Sequence, residues 1–292
     1  MPKKPCIAIV GAGNLGTALA LALQDAGYQI DAVVAGTGRN SLIRARRLAK
    51  LTASRAVVGT ADANARVWWF CVPDDEIGRA AAALAGEFQG HGKIALHSSG
   101  ALSSDELEPL RRKGAAVASL HPLMTFVRGS RPALDGVSFA MEGDPAAVRV
   151  ARGIVRDLGG EAFAIRKKDK KAYHALATFA SPLLTALLAS AEQVARLTGM
   201  TGRATRRRML PILRQTVRNY GTFGAAAGFS GPIVRGDVET VRHHLEVLRT
   251  EPVPRQVYRA LARAAIEYLP ARNKTLLRTL LDSTDTDSGT RA

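Results

Sequence analysis

Only two cysteines occur in the 292 residues, Cys6 and Cys71, and both sit inside apolar runs that read as buried strands. That placement favours inert core residues over a disulfide or a metal pair, so no metal is expected and the usage fits a reducing cytoplasm. Aromatic residues are few, and none interleave the basic clusters as a platform for single-stranded nucleic acid would need. The first five residues run straight into a strand without the apolar stretch and small-residue cleavage site of a signal peptide, so no export is expected. No repeat of solenoid period is found.

Acidic residues are also short, 25 against 41 Lys and Arg, for a formal net charge of +16. Nucleic acid, an anionic membrane or acidic small molecules could each explain such an excess. The charge is scattered, however, over clusters at 44–50, 111–113, 166–171 and 203–208. Apart from the first cluster these read as solvated helix faces, and no specific nucleic-acid partner is expected. One stretch free of formal charge, 172–191, is long enough to cross a bilayer. It contains Tyr173, His174, Thr178, Ser181, Pro182, Thr185 and Ser190, and it reads as the central helix of a helical domain, with no membrane partner.

What is present is an alternation of short apolar runs and amphipathic stretches, the pattern of βαβ units around a parallel sheet. Strands are expected at 6–10, 30–35, 56–59, 67–72, 94–97, 117–120, 137–141 and 162–165, with helices at 15–26, 41–51, 103–113 and 145–158. After residue 165 strand signals stop, and helices are expected at 169–198, 203–219, 238–249, 254–269 and 271–281. The fold class is therefore α/β: a doubly wound Rossmann domain over 1–165, then an all-helical domain over 166–282 and a Ser/Thr/Asp-rich disordered tail over 283–292.

The loop Gly11-Ala12-Gly13-Asn14-Leu15-Gly16 follows the first strand and opens the first helix, the context that makes a GxGxxG run a dinucleotide site. Gly11 permits the tight turn, Gly13 lets the backbone approach a pyrophosphate, and Gly16 allows close packing of helix on strand. Asp or Glu at the end of the second strand would bind the ribose hydroxyls of NAD. Here that place reads Ala35-Gly36-Thr37-Gly38-Arg39-Asn40-Ser41, and Asp31 lies at the strand's other end. With no acid to repel a 2′-phosphate, and with Arg39, Ser41 and Arg44 able to bind one, NADP(H) is the expected cofactor. Pro73-Asp74, His97-Ser98-Ser99-Gly100 and His121-Pro122 end the next strands and should line the nicotinamide side; His97 and His121 are candidates for touching cofactor or substrate.

Four segments together resemble a known family: His97 to Ala101, the His121-Pro122 turn, the helix with Lys171 and Tyr173-His174-Ala175, and above all Ser230 to Asp237 followed by His244-Leu245. They resemble the bacterial family that joins a Rossmann-like NADP-binding domain to a helical domain of unassigned function. It is similar in architecture to pyrroline-5-carboxylate reductases, deazaflavin-dependent NADP reductases and the 6-phosphogluconate-dehydrogenase-like group, and some relatives are non-classical ketopantoate reductases. The resemblance implies a hydride-transfer enzyme, often a homodimer through the helical domain. This chain has Ser181-Pro182 where such families commonly carry Asn after the Ser, so an amide that could bind substrate is missing.

On the central helix, Asp169 is a candidate N-cap, and Lys171, His174, Thr178 and Ser181 then share one polar face. That stripe reads either as a boundary with the other domain or as a proton source, with Lys171 or His174 as donor to a carbonyl being reduced. In the last motif Arg235, held between Gly231-Pro232 and Gly236, could grip a substrate carboxylate, or could pair with Asp237 or another acid while Asp237 caps a helix. The expected function is a cytoplasmic NADP-dependent reductase of a small, anionic carbonyl or imine held between the domains. The alternative readings are a dinucleotide-binding sensor or scaffold without turnover, and a nucleic-acid-associated protein.

Overall fold

A computed structural model describes residues 4–59 and 64–283. The tail expected at 283–292 lies, from residue 284 on, outside the described residues. The chain divides into two compact units, the first ending at Phe179 and the second beginning at Ala180.

The first unit is an eight-stranded sheet in the order β3-β2-β1-β4-β5-β6-β7-β8. Its strands are β1 Ile7–Val10, β2 Ile30–Ala35, β3 Arg55–Val58, β4 Val67–Phe70, β5 Ile94–His97, β6 Ala116–Pro122, β7 Ser138–Gly143 and β8 Glu161–Ala164. Around it lie α1 Asn14–Asp25, α2 Arg39–Leu51, α3 Asp74–Ala85, α4 Glu108–Arg111, α5 Pro145–Asp157 and α6 Lys170–Thr178. The four residues of β1, β4 and β5 are buried, as strands covered by helices on both faces must be. Successive residues alternate between faces, so Trp69, Leu96 and Leu120 enter the core on one side while Trp68, Phe70 and Val117 enter the other.

Two expectations change. The sheet is not parallel throughout, because β7 runs antiparallel to β6; no helix separates them, and a parallel return needs a crossover connection. The helix expected at 103–113 shrinks to a 3₁₀ turn, Ser104–Leu107, followed by α4. Buried Ser104 donates its N–H and hydroxyl to the two carboxylate oxygens of Glu142, at 2.6 and 2.8 Å, which ties the segment to the sheet rather than to its own helix.

The helix expected at 169–198 is broken. A π turn, Phe179–Leu183, holds Pro182 between α6 and α7, Leu184–Arg196. Proline has no N–H for the ladder, so the turn falls where one bond is missing. The first unit extends through α6, beyond residue 165, because Lys170 and Tyr173 on that helix are buried.

The second unit continues with α8 Gly202–Gly228, α9 Pro232–Arg235, α10 Val238–Val247, α11 Pro252–Tyr268 and α12 Lys274–Asp282. Its core joins Val241 and Leu245 to Ala262, Ile266, Leu277 and Leu281. One helical stretch, Lys167–Arg196, is long and apolar enough by length and composition to cross a membrane, and its apolar window is not buried in the single chain.

Two loop glycines separate packing from openness. A Cβ at Gly16 would fall 2.1 Å from Gly11 O, whereas a Cβ at Gly13 would meet nothing nearer than Cys71 O at 3.9 Å. Gly16→Ala should therefore cost about 2 kcal/mol or more of unfolding free energy, and Gly13→Ala within about 0.5 kcal/mol of none. Urea unfolding of the two variants checks this, and equal losses would contradict it.

Candidate active site

Parallel pairing brings the carboxyl ends of four strands to one edge. Val10 lies beside Phe70, Phe70 beside His97 and His97 beside Ser119. The loops after β1, β4 and β5 and the last residues of β6 share that edge at about 4.8 Å per strand. Strand order reverses between β1 and β4, the point at which an open α/β sheet leaves a crevice for a ligand.

The glycine loop stands there. Gly11 takes φ +99°, and a Cβ on it would press on Val72 at 2.7 Å, so Gly11 and Gly16 serve the fold. Gly13 is the N-cap of α1; no side chain caps that helix and its first turn holds no acid. Its free N–H groups and positive dipole end are left for an anion. Asn14 is exposed and donates from Nδ2 to Phe126 O at 3.3 Å. Leu15 packs inward on the core, offering backbone rather than side chain. Beside the loop, burial pushes the Cys71 thiol up, in keeping with an inert core residue.

At the end of β2, Gly36 N donates to Ser41 Oγ at 3.0 Å, which shapes the turn into α2. Arg39 begins α2 and Arg44 lies one turn on, both exposed and without an ion pair among the described residues. The first turn of α2 holds no acid. Asp31, at the far end of β2, is engaged by Arg55 at 3.3 Å and Asn64 N at 2.8 Å. By contrast, α3 starts with Asp74, Asp75 and Glu76 after an exposed Pro73 at its N-cap. Of these three helix starts, two suit phosphate and one repels it.

Polar side chains gather beyond β5 and β6. His97 is fully buried with both ring nitrogens tied: Nε2 donates to Ser103 O at 2.9 Å and Nδ1 accepts from Ser99 N at 3.1 Å. Ser98 is buried and accepts from Trp69 Nε1 at 2.8 Å. Ser99 Oγ donates to Asp74 at 2.7 Å. Lys170, fully buried, donates to Ser119 Oγ at 2.7 Å and Ser99 O at 3.1 Å. Burial lowers its pKa, against the opposing pull of Glu142 and Asp74.

The proton-donor expectation named Lys171 and His174. Lys171 is exposed to solvent, and the lysine carried inward is its neighbour Lys170. Asp169 stands at the N-cap of α6 without a capping bond, its carboxylate held by Arg166. His174 is half-buried, its ring 6.0 Å from that of His121. His121 Nδ1 lies 3.0 Å from the hydroxyl of buried Tyr173. The sequence reading did not assign roles to Lys170 and Tyr173; their i, i+3 spacing on one helix face was the available signal.

In the second unit the 230–237 segment is held by its own backbone. Gly231 at φ +109° and Gly236 at φ +67° bracket α9, and a Cβ at Gly236 would fall 2.7 Å from Arg272 O. Asn273 Nδ2 donates to Gly236 O at 2.9 Å. Asp237 caps α10, taking Thr240 N at 3.1 Å and Thr240 Oγ1 at 2.7 Å. Arg235 is exposed and makes no ion pair among the described residues, with Asp237 or otherwise.

Residues 2–122 match the Rossmann-like domain, and residues 137–265 match a domain of unknown function, DUF2520. A Bacteroides fragilis protein assigned as an NADP oxidoreductase is 21% identical, with a TM-score of 0.73 covering 89% of this chain and 97% of its own. A Thermotoga maritima protein is 25% identical, with a TM-score of 0.67 over 94% of this chain and 98% of its own. An imine reductase from Myxococcus stipitatus, solved with NADP+, is 18% identical, with a TM-score of 0.66 over 94% and 100%. No curated protein matches the chain in sequence.

The fully buried His97 and half-buried His121 imidazoles make stability depend on pH. Burial pulls His97 and His121 down to about 4 from an ordinary 6.5. The unfolded chain therefore takes up these protons first, and the stability present above pH 6.5 is lost as pH falls toward 4. Urea unfolding should show a loss of about 1–2 kcal/mol per imidazole between pH 7 and 5. A profile flat over that range would contradict both rings being held neutral in the folded protein.

Proposed function

We propose that this chain, which joins a Rossmann-like domain to a DUF2520 helical domain, is an NADP(H)-dependent reductase of a small anionic carbonyl or imine. The observation that carries the reading is how charge is distributed among the helix starts along the carboxyl edge. The acid-free starts of α1 and α2 suit the pyrophosphate and the 2′-phosphate, and the acid-rich start of α3 suits the uncharged end. In this reading Gly13, Asn14, Leu15 and Gly16 hold the pyrophosphate by backbone, and Arg39, Ser41 and Arg44 hold the 2′-phosphate. Pro73 and the Ser98–Gly100 segment flank the nicotinamide, with His97 and Ser98 bracing that wall from inside. When bound, the nicotinamide would supply a hydride. Arg235, on its rigid turn in the second unit, remains the candidate for a substrate carboxylate, and the +16 charge favours an anion.

Calorimetry should find NADPH bound at least about 10-fold more tightly than NADH, the scale of a charged hydrogen bond. Arg39→Asp should narrow or reverse that preference, and Gly13→Val should abolish binding of both. Equal affinity of the parent for the two cofactors would sink the assignment. Oxidation of NADPH is then scanned against 2-oxo acids, cyclic imines and oxidised deazaflavin; binding without turnover on any of them would favour a dinucleotide sensor.

The same reading includes a homodimer through the helical unit. On α8, Ile212, Val217, Tyr220 and Phe223 are each 63–68% exposed, an apolar face that a second copy would cover. Sedimentation should give twice the 31.0 kDa chain mass, and the pair Tyr220→Glu, Phe223→Glu should give the monomer. A monomeric parent would refute this.

A further inference from the structure

The dyad of His121 and Tyr173 has a directionality that follows from acidity. Their contact joins Nδ1 to the phenolic oxygen at 3.0 Å, and the Tyr173 hydroxyl has no other partner among the described residues. A phenol is a far stronger acid than a neutral imidazole N–H, and the imidazole nitrogen is the better base. The stable arrangement is therefore O–H donating to Nδ1, which leaves the ring hydrogen on Nε2. Lys170 and His174 are the nearby groups that oppose a charged His121 ring, adding to its burial.

Gly100 packs closely on the rings of His121 and His174. Its backbone is not in the left-handed region, so no turn demands glycine there. A Cβ at Gly100 would fall 2.8 Å from His121 Nε2 and 2.6 Å from His174 Cδ2. Glycine is needed there for space alone. His121 Nε2 has no partner among the described residues and is not among the buried unpaired atoms. His97, one strand away, has both nitrogens committed and cannot offer the same service.

We propose that Tyr173 locks His121 in the Nε2–H form, and that this N–H is the group that meets the heteroatom of the substrate's reducible double bond. The substrate contact rests on the reductase reading; the lock does not. In the step, the carbon of the C=O or C=N bond gains hydride from NADPH, which becomes NADP+. The oxygen or nitrogen gains the Nε2 proton and Nδ1 gains the Tyr173 hydrogen; water then returns a proton to Nε2 while Nδ1 gives its hydrogen back to the Tyr173 phenolate, which restores the dyad. His121 is the catalytic residue and Tyr173 the positioning and relay residue.

Two readouts test this on the full chain. With ¹⁵N-labelled histidine, long-range NMR correlations should show His121 neutral and in the Nε2–H form from pH 7 to 5.5. Tyr173→Phe should release it into a mixture of tautomers. An Nδ1–H form in the parent, or a form unaffected by Tyr173→Phe, overturns the lock. For the substrate contact, NADPH oxidation is measured against 2-oxo acids and cyclic imines in H₂O and D₂O. Tyr173→Phe should lower kcat roughly 10- to 100-fold, with the NADPH Kd unchanged and the solvent isotope effect altered. An unchanged kcat and isotope effect overturn the relay. A parent that oxidises NADPH with none of these substrates overturns the reductase reading and the contact with it, while the spectra still decide the lock.

Discussion

The amino group of Lys170, carried into the interior at the start of α6, is tied to Ser119 Oγ at 2.7 Å and Ser99 O at 3.1 Å, and the geometry beyond β5 and β6 depends on it. An unpartnered buried ammonium costs several kcal/mol, so such a group persists only where partners are in place. Those partners are themselves held: Ser119 Oγ also donates to Ser99 O at 3.2 Å, and Ser99 Oγ accepts from Leu102 N at 2.9 Å while donating to Asp74. Fixing Lys170 fixes the rotation of α6. One turn on, Tyr173 then has to face His121, and Lys171 has to face water.

Electrostatics along the carboxyl edge follow from which residues open each helix. The dipole at a helix start favours an anion by about 0.3–1 kcal/mol at the surface. Acids in the first turn of α3 already satisfy that end from within the chain, whereas α1 and α2 leave it to a ligand. The same edge therefore separates helix starts without acids from one whose first turn holds three. In the proposed reading Arg39 and Arg44, one strand farther out, would hold the 2′-phosphate.

Much of this was legible in the sequence because it is local. Apolar runs set the strands, the glycine loop set the switch point, and the missing acid after β2 was visible letter by letter. The antiparallel β7 departs from the parallel sheet expected, although the lack of a helical stretch between 122 and 138 was a signal for it. Lys170 was not: hydropathy places lysine outside, and only its tertiary partners bring it in. The stripe Lys171, His174, Thr178 and Ser181 rested on α-helical register holding as far as residue 181, and the π turn at 179–183 ends that alignment. The Tyr173–His121 bond joins residues 52 apart in the chain, beyond any helical or strand periodicity.

The antiparallel strand also explains why two histidines on adjacent strands differ so much. His97 is the last residue of β5 and lies level with Ser119, so the backbone of the following loop folds over it and takes both ring nitrogens. β6 runs on to Pro122, past the end of β5, and only β7 supports it there, with His121 beside Ala140. Because β7 returns directly, His121 stands beyond the parallel edge, bonded to Tyr173 of α6 and with Gly100 of the loop after β5 packed on its ring. The direction of a single strand thus bears on which imidazole has both ring nitrogens bonded and which has only one partner among the described residues.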